Sequence, residues 1–66
     1  MAQTINDIKM QELADEFTSK VLTEIYGDRF TNLDNIEDDP KIDAHWEHLN
    51  EKFYALIENE VKLAGV

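Results

Sequence analysis

Apolar residues recur with the period of an α-helix in two long stretches of this chain, and at a spacing of three in the segment between them. In the first stretch, from about Asn6 to Tyr26, intervals of three and four link Met10, Leu13, Ala14, Phe17, Val21 and Ile25. Such intervals place side chains on one face of a helix. Thr4 or Asn6 can cap its start with a side-chain oxygen, and Gly27 can end it in the left-handed conformation. In the second stretch, from about Pro40 to Ala64, the stripe is Ile42, Trp46, Leu49, Phe53, Leu56, Ile57 and Ala64. Asp39-Pro40 joins a capping carboxylate to a proline at the first helical position, and Gly65 marks the stop.

Between the two lies the segment 27–39. Phe30, Leu33 and Ile36 are three apart, and Thr31 is placed to cap a short helical turn. Three large apolar residues at that spacing predict a segment that folds back over the open end of a hairpin. Period-two alternation never exceeds two or three residues, so no strand is predicted. The first helix also carries a second apolar group: Ile8, Leu22 and Tyr26 lie roughly 130–150° around the helix from the main stripe. In a hairpin each helix buries one face, so either the connection or a second subunit covers this group. Two hairpins joined through it would form a four-helix bundle. The expected fold class is all-α: an antiparallel two-helix hairpin with a short helical turn in its connection. It forms one domain over residues 1–66 and assembles as a dimeric helical bundle.

Size supports the expectation of a partner. A chain of 66 residues gains only about 3–5 kcal/mol from a single core. It has no cysteine, which excludes disulfides and thiolate metal sites. Docking or oligomerisation is the remaining remedy. Met1 to Asp7 show neither a basic nor an apolar signal region, and no run approaches about 18 apolar residues. The expected location is therefore the cytoplasm, or the host cytoplasm for a viral protein. High charge favours disorder, but a 42% hydrophobic content arranged periodically opposes it.

Charge changes the picture most. Fifteen acidic residues face six basic ones, a formal net charge of −9. Such a field repels nucleic acid and anionic membranes and attracts basic protein surfaces. By segment it is −3 over residues 1–26, −4 over 27–40 and −2 over 41–66. The connection supplies Asp34, Glu37, Asp38 and Asp39. The second helix presents Glu47, Glu51 and Glu58 opposite its apolar stripe, with Asp43 at the border, and the first presents Glu12 and Glu16 with Asp15 beside them. Carboxylates one helical turn apart are about 5–6 Å from each other and destabilise an isolated helix. That separation is close to the spacing of adjacent phosphates along one nucleic-acid strand. Carboxylate strips of this kind can stand in for phosphates before a nucleic-acid-binding protein. Tyr54, off the apolar stripe, is the candidate aromatic anchor, whereas Trp46 at the stripe's centre is expected in the core. Glu60 falls inside the stripe. It is either exposed beyond the bundle's end or paired with Lys9 or Lys20.

Catalytic and metal chemistry finds little support. His45-Trp46-Glu47-His48, with Glu51, is the one cluster of suitable residue types. A single helical turn does not supply the three or four fixed ligands of a zinc site, and the spacing is not the four of the two-histidine zinc helix. A calcium loop begun at Asp34 puts Ile36, Asp39 and His45 at its third, sixth and twelfth positions, where it needs an oxygen ligand, glycine and glutamate. No phosphate loop, nucleophile elbow or dinucleotide fingerprint occurs. The chain is expected to be non-enzymatic, with no catalytic residue, cofactor or metal.

One local resemblance exists. Phe53 to Lys62, ten residues, is similar to the second helix of the small sporulation antikinase, a helical hairpin that blocks a histidine kinase. The first helix and the acidic connection lack that likeness. In acidity and size the chain also looks like small phage-encoded proteins that occupy the DNA-binding sites of host defence enzymes. The functional expectation is an acidic binding protein that inhibits or regulates a basic, nucleic-acid-binding protein as a nucleic-acid mimic. The alternative is a structural or regulatory hairpin that self-assembles or docks on a partner such as a kinase, its acidity serving solubility.

Overall fold

A computed structural model describes residues 6–65. The chain forms α1 (Asp7–Tyr26), α2 (Asp28–Thr31), a single 3-10 turn (Ile36–Asp38) and α3 (Pro40–Leu63), and no strand occurs among the described residues. Tyr26 at the end of α1 meets His45 near the start of α3, so the two long helices run antiparallel. The hairpin is a rod of 44 × 17 × 16 Å with a radius of gyration of 13.8 Å. A compact chain of this length would have about 11 Å.

The helix boundaries follow from local chemistry. Asn6 Oδ1 accepts from the Lys9 N–H at 2.9 Å and so caps α1; Thr4, the other candidate cap, lies outside the described residues. Asp39 Oδ1 accepts from the Ile42 N–H at 3.4 Å, and Pro40 opens α3. Gly27 ends α1 with φ 59° and ψ −131°. The sequence suggested a left-handed helical glycine; the observed pair belongs instead to the first central position of a type II′ turn. The chain therefore turns a corner at one residue. The Gly27 N–H donates to Thr23 O at 2.8 Å, and its carbonyl accepts from Phe30 and Thr31. That carbonyl starts α2, so Thr31 is the last residue of the turn and not its cap. Phe30, Leu33 and Ile36 are all half-buried, as expected of a segment folded back on the hairpin.

Packing departs from the predicted stripe. The buried residues of α1 are Met10, Ala14, Thr18 and Leu22, a single row at intervals of four. Rows of this kind are inclined to the helix axis, and α3 lies along this one. Ala14 and Thr18 are small enough for the backbones to approach, and Leu22 and Ile42 are fully buried. Each contributes about 1.5–3 kcal/mol through removal of its side chain from water. Leu22 is thus in the core and not in a second group. Phe17 and Ile25, expected in the core, sit in the neighbouring row and are 41% and 56% exposed. On α3, Leu56 is 57% exposed and Trp46 is only half-buried, and Ala64, just past the helix end, is exposed. The second group divides: Leu22 is buried, Tyr26 is half-buried and Ile8 is exposed. Glu60 is exposed, and Lys9 and Lys20 pair within α1.

Candidate protein-binding surface

Helical spacing gives the hairpin two unlike flanks. Beside the buried row of α1 lie Gln11, Asp15, Ser19 and Thr23 on one side, and Leu13, Phe17, Val21 and Ile25 on the other. Two rows of α3 approach α1. The row Ile42, Trp46, Asn50, Tyr54 and Glu58 serves the polar flank, and the row His45, Leu49, Phe53, Ile57 and Val61 serves the apolar one. Two contacts fix the pairing. Asn50 bonds to Asp15 on the polar flank, and the Phe17 and Phe53 rings meet at 6.0 Å on the apolar flank.

The polar flank is held by a small amide network that sequence reasoning missed. Asn50 Nδ2 donates to Asp15 Oδ1 at 2.8 Å and to Thr18 Oγ1 at 3.4 Å. Gln11 Nε2 donates to Asp15 Oδ1 and to Asn50 Oδ1, both at 2.9 Å. The buried Thr18 hydroxyl donates in turn to the Ala14 carbonyl at 2.7 Å. Every group is satisfied, so the network fixes the register of the helices without stranding a polar atom. A mid-helix threonine four residues after alanine is the signal that could have found it, because such a hydroxyl can bond back to the preceding turn.

At the connection end a second chain of contacts closes the hairpin. The Tyr26 hydroxyl lies 2.8 Å from His45 Nδ1. Arg29 sits over the Tyr26 ring at 5.7 Å and donates from Nε to Asp39 Oδ2 at 2.8 Å. The hydrogen bond from Arg29 holds the Asp39 carboxyl below its ordinary range, against a smaller opposing effect of burial.

The predicted binding residues therefore divide by what engages them. Asp39 is committed to the α3 cap and to Arg29, with its side chain only 16% exposed. Glu12 pairs with Lys9 at 3.7 Å and Glu16 with Lys20 at 3.3 Å, both on the back of α1. Tyr54 is half-buried rather than a projecting anchor. Burial, then the nearby Asp7 and Glu58 carboxylates, push its phenol above the ordinary range. Asp34, Glu37, Asp38, Glu47 and Glu51 are exposed, Asp43 is half-buried, and none forms an ion pair among the described residues. Asp43 and Glu47 also border an open cavity of about 390 Å³ lined by Phe30, Ile36 and Trp46. Unpaired carboxylates thus lie on the polar flank and the connection, and the exposed Glu24 and Glu60, beside the apolar flank, are also without an ion pair among the described residues.

His48 is exposed and His45 is engaged by Tyr26. No cluster of three or more potential metal ligands occurs among the described residues. Among those residues no helix is long and apolar enough to cross a membrane. Comparison with protein-family models, curated proteins and solved structures gives no match to this chain.

Proposed function

We propose that this chain is a non-enzymatic acidic binding protein that inhibits or regulates a basic, nucleic-acid-binding protein by offering carboxylates in place of phosphates. One observation carries the reading: Asp34, Glu37, Asp38, Glu47 and Glu51 are exposed and without ion pairs, while Glu12, Glu16 and Glu58 have lysine partners. This uncompensated acidity is densest at the connection, where Asp34, Glu37 and Asp38 lie within five residues of one another. A phage-type inhibitor of a host defence enzyme, acting in the host cytoplasm, is the most specific form of the proposal. Complementary charge would speed encounter, and the apolar wall of the Trp46 cavity would add contact area.

The test is capture of a DNA-binding protein from a cell lysate by the immobilised chain, followed by elution with duplex DNA. The expected result is release by DNA and a steep loss of binding between about 50 and 200 mM salt. Reversal of Asp34, Glu37 and Asp38 to lysine should abolish capture. Salt-insensitive capture, or capture unchanged by the triple reversal, would contradict the proposal.

A second reading is favoured by Phe17, Ile25 and Leu56, which an isolated hairpin leaves in water. In it the hairpin self-assembles as a dimer or docks on a partner such as a kinase.

A further inference from the structure

We infer that the apolar flank, formed by Leu13, Phe17, Val21 and Ile25 of α1 with Leu49, Phe53 and Ile57 of α3, is the interface on which a second copy of this chain docks face to face. The inference deepens the self-assembly reading and does not depend on nucleic-acid mimicry.

Three observations select a second copy as the occupant. The first is charge. The polar flank and its α3 border carry Asp7, Asp15, Asp43, Glu47, Glu51 and Glu58 against Lys62, a net of −5, whereas the apolar flank with both its borders carries Lys9, Lys20, Lys41 and Lys52 against Glu12, Glu16, Glu24 and Glu60, a net of zero. Two copies of a chain with a net charge of −9 repel less through this flank than through the polar one.

The second is self-complementarity. The α1 border of the apolar flank holds Glu12, Glu16, Lys20 and Glu24, and the α3 border holds His48, Lys52 and Glu60, so each border carries both signs. A two-fold axis through the flank that sets α1 against the other copy's α3 brings these mixed borders together twice, so neither meets a face of a single sign. That is the condition an isologous interface must meet.

The third is area. α1 is about 30 Å long, and the hairpin is 17 Å across. The flank therefore projects roughly 500 Å² before side-chain relief is counted, which approaches the ~800 Å² per partner of a standard interface. Four helices then enclose Phe17, Ile25 and Leu56, and the rod acquires the core that one hairpin lacks. Both polar flanks face outward, so the dimer carries two copies of the carboxylate surface.

The experiment is sedimentation equilibrium of the full chain with far-ultraviolet circular dichroism of each variant. The native chain should sediment at about twice its 7.7 kDa. Leu56→Lys and Ile25→Lys alter residues already exposed in the hairpin, so helicity should persist while association weakens at least about tenfold. Leu63→Lys, a charge placed on the opposite border, should leave association unchanged. A native chain that stays monomeric at about 100 µM, well above the micromolar range of ordinary dimers, would overturn both self-assembly and this interface. A dimer as tight in Leu56→Lys and Ile25→Lys as in the native chain would overturn the interface alone. Loss of the dimer in Leu63→Lys but not in Leu56→Lys would do the same.

Discussion

On one flank of the α1–α3 contact, Phe17 meets Phe53 and leaves much of its ring in water; on the other, Asn50 bridges Asp15, Gln11 and Thr18 with every amide satisfied. The same two helices produce both. The polar flank is complete within one chain, because hydrogen bonds hold it and its carboxylates are content in solvent. The apolar flank is incomplete, because a row of large side chains touches the opposite helix along one edge only. Specific hydrogen bonds can finish a narrow contact, whereas hydrophobic burial needs a surface on both sides.

Substitutions on and beside the buried row separate these two kinds of contact. Leu22→Ala empties a fully buried site and should cost about 2–5 kcal/mol, enough to unfold a chain of such small stability. Ile25→Ala, three residues on in the apolar row, should cost under about 1 kcal/mol in the monomer. Thermal melts followed by circular dichroism at low chain concentration would show the contrast. Equal losses would mean that the apolar row is already core.

A smaller effect comes from the polar flank. Asn50→Ala removes the donor shared by Asp15 and Thr18 and should cost about 1 kcal/mol, since water can replace part of the network at the exposed Gln11. Urea titration would measure it, and a neutral result would show that the register is set elsewhere.

The smallest effect lies at the corner of the hairpin. The hydrogen bond from Arg29 lowers the Asp39 carboxyl, so its stabilisation is fully present above the ordinary carboxylate pKa of about 4. That stabilisation fades as pH falls through the depressed folded value. Asp39→Asn keeps a capping oxygen and loses the ion pair. The gap in melting temperature between native and variant should be constant above about pH 5 and close at lower pH. A gap that widens in acid would contradict the assignment.

The helices themselves were legible in the sequence. Asn6, Gly27 and the Asp39-Pro40 pair act through local backbone chemistry, and the observed ends fall within a residue of those signals. The spacing of Phe30, Leu33 and Ile36 likewise anticipated a connection that packs. Which row of α1 faces α3 was not legible. An ideal wheel averages over the helix length, while the contact follows an inclined row of four-residue steps. That inclination exchanges Leu22 for Ile25 and brings Thr18, which carries no hydrophobic signal, into the core. The acidic surface was half legible. Strips such as Glu47 and Glu51 follow from spacing, but the withdrawal of Asp39 by Arg29 and the burial of Tyr54 depend on how the connection folds.

The difference between the flanks can be read most directly with one spin label placed on each. The chain has no cysteine, so Leu56→Cys and Glu51→Cys each give a single labelled site. Accessibility of the label to a water-soluble relaxation agent is then followed as chain concentration rises. The label at 56 should become progressively protected and immobilised, while the label at 51 stays equally accessible throughout. Equal accessibility at both sites over the whole range, or protection at 51 alone, would contradict the account.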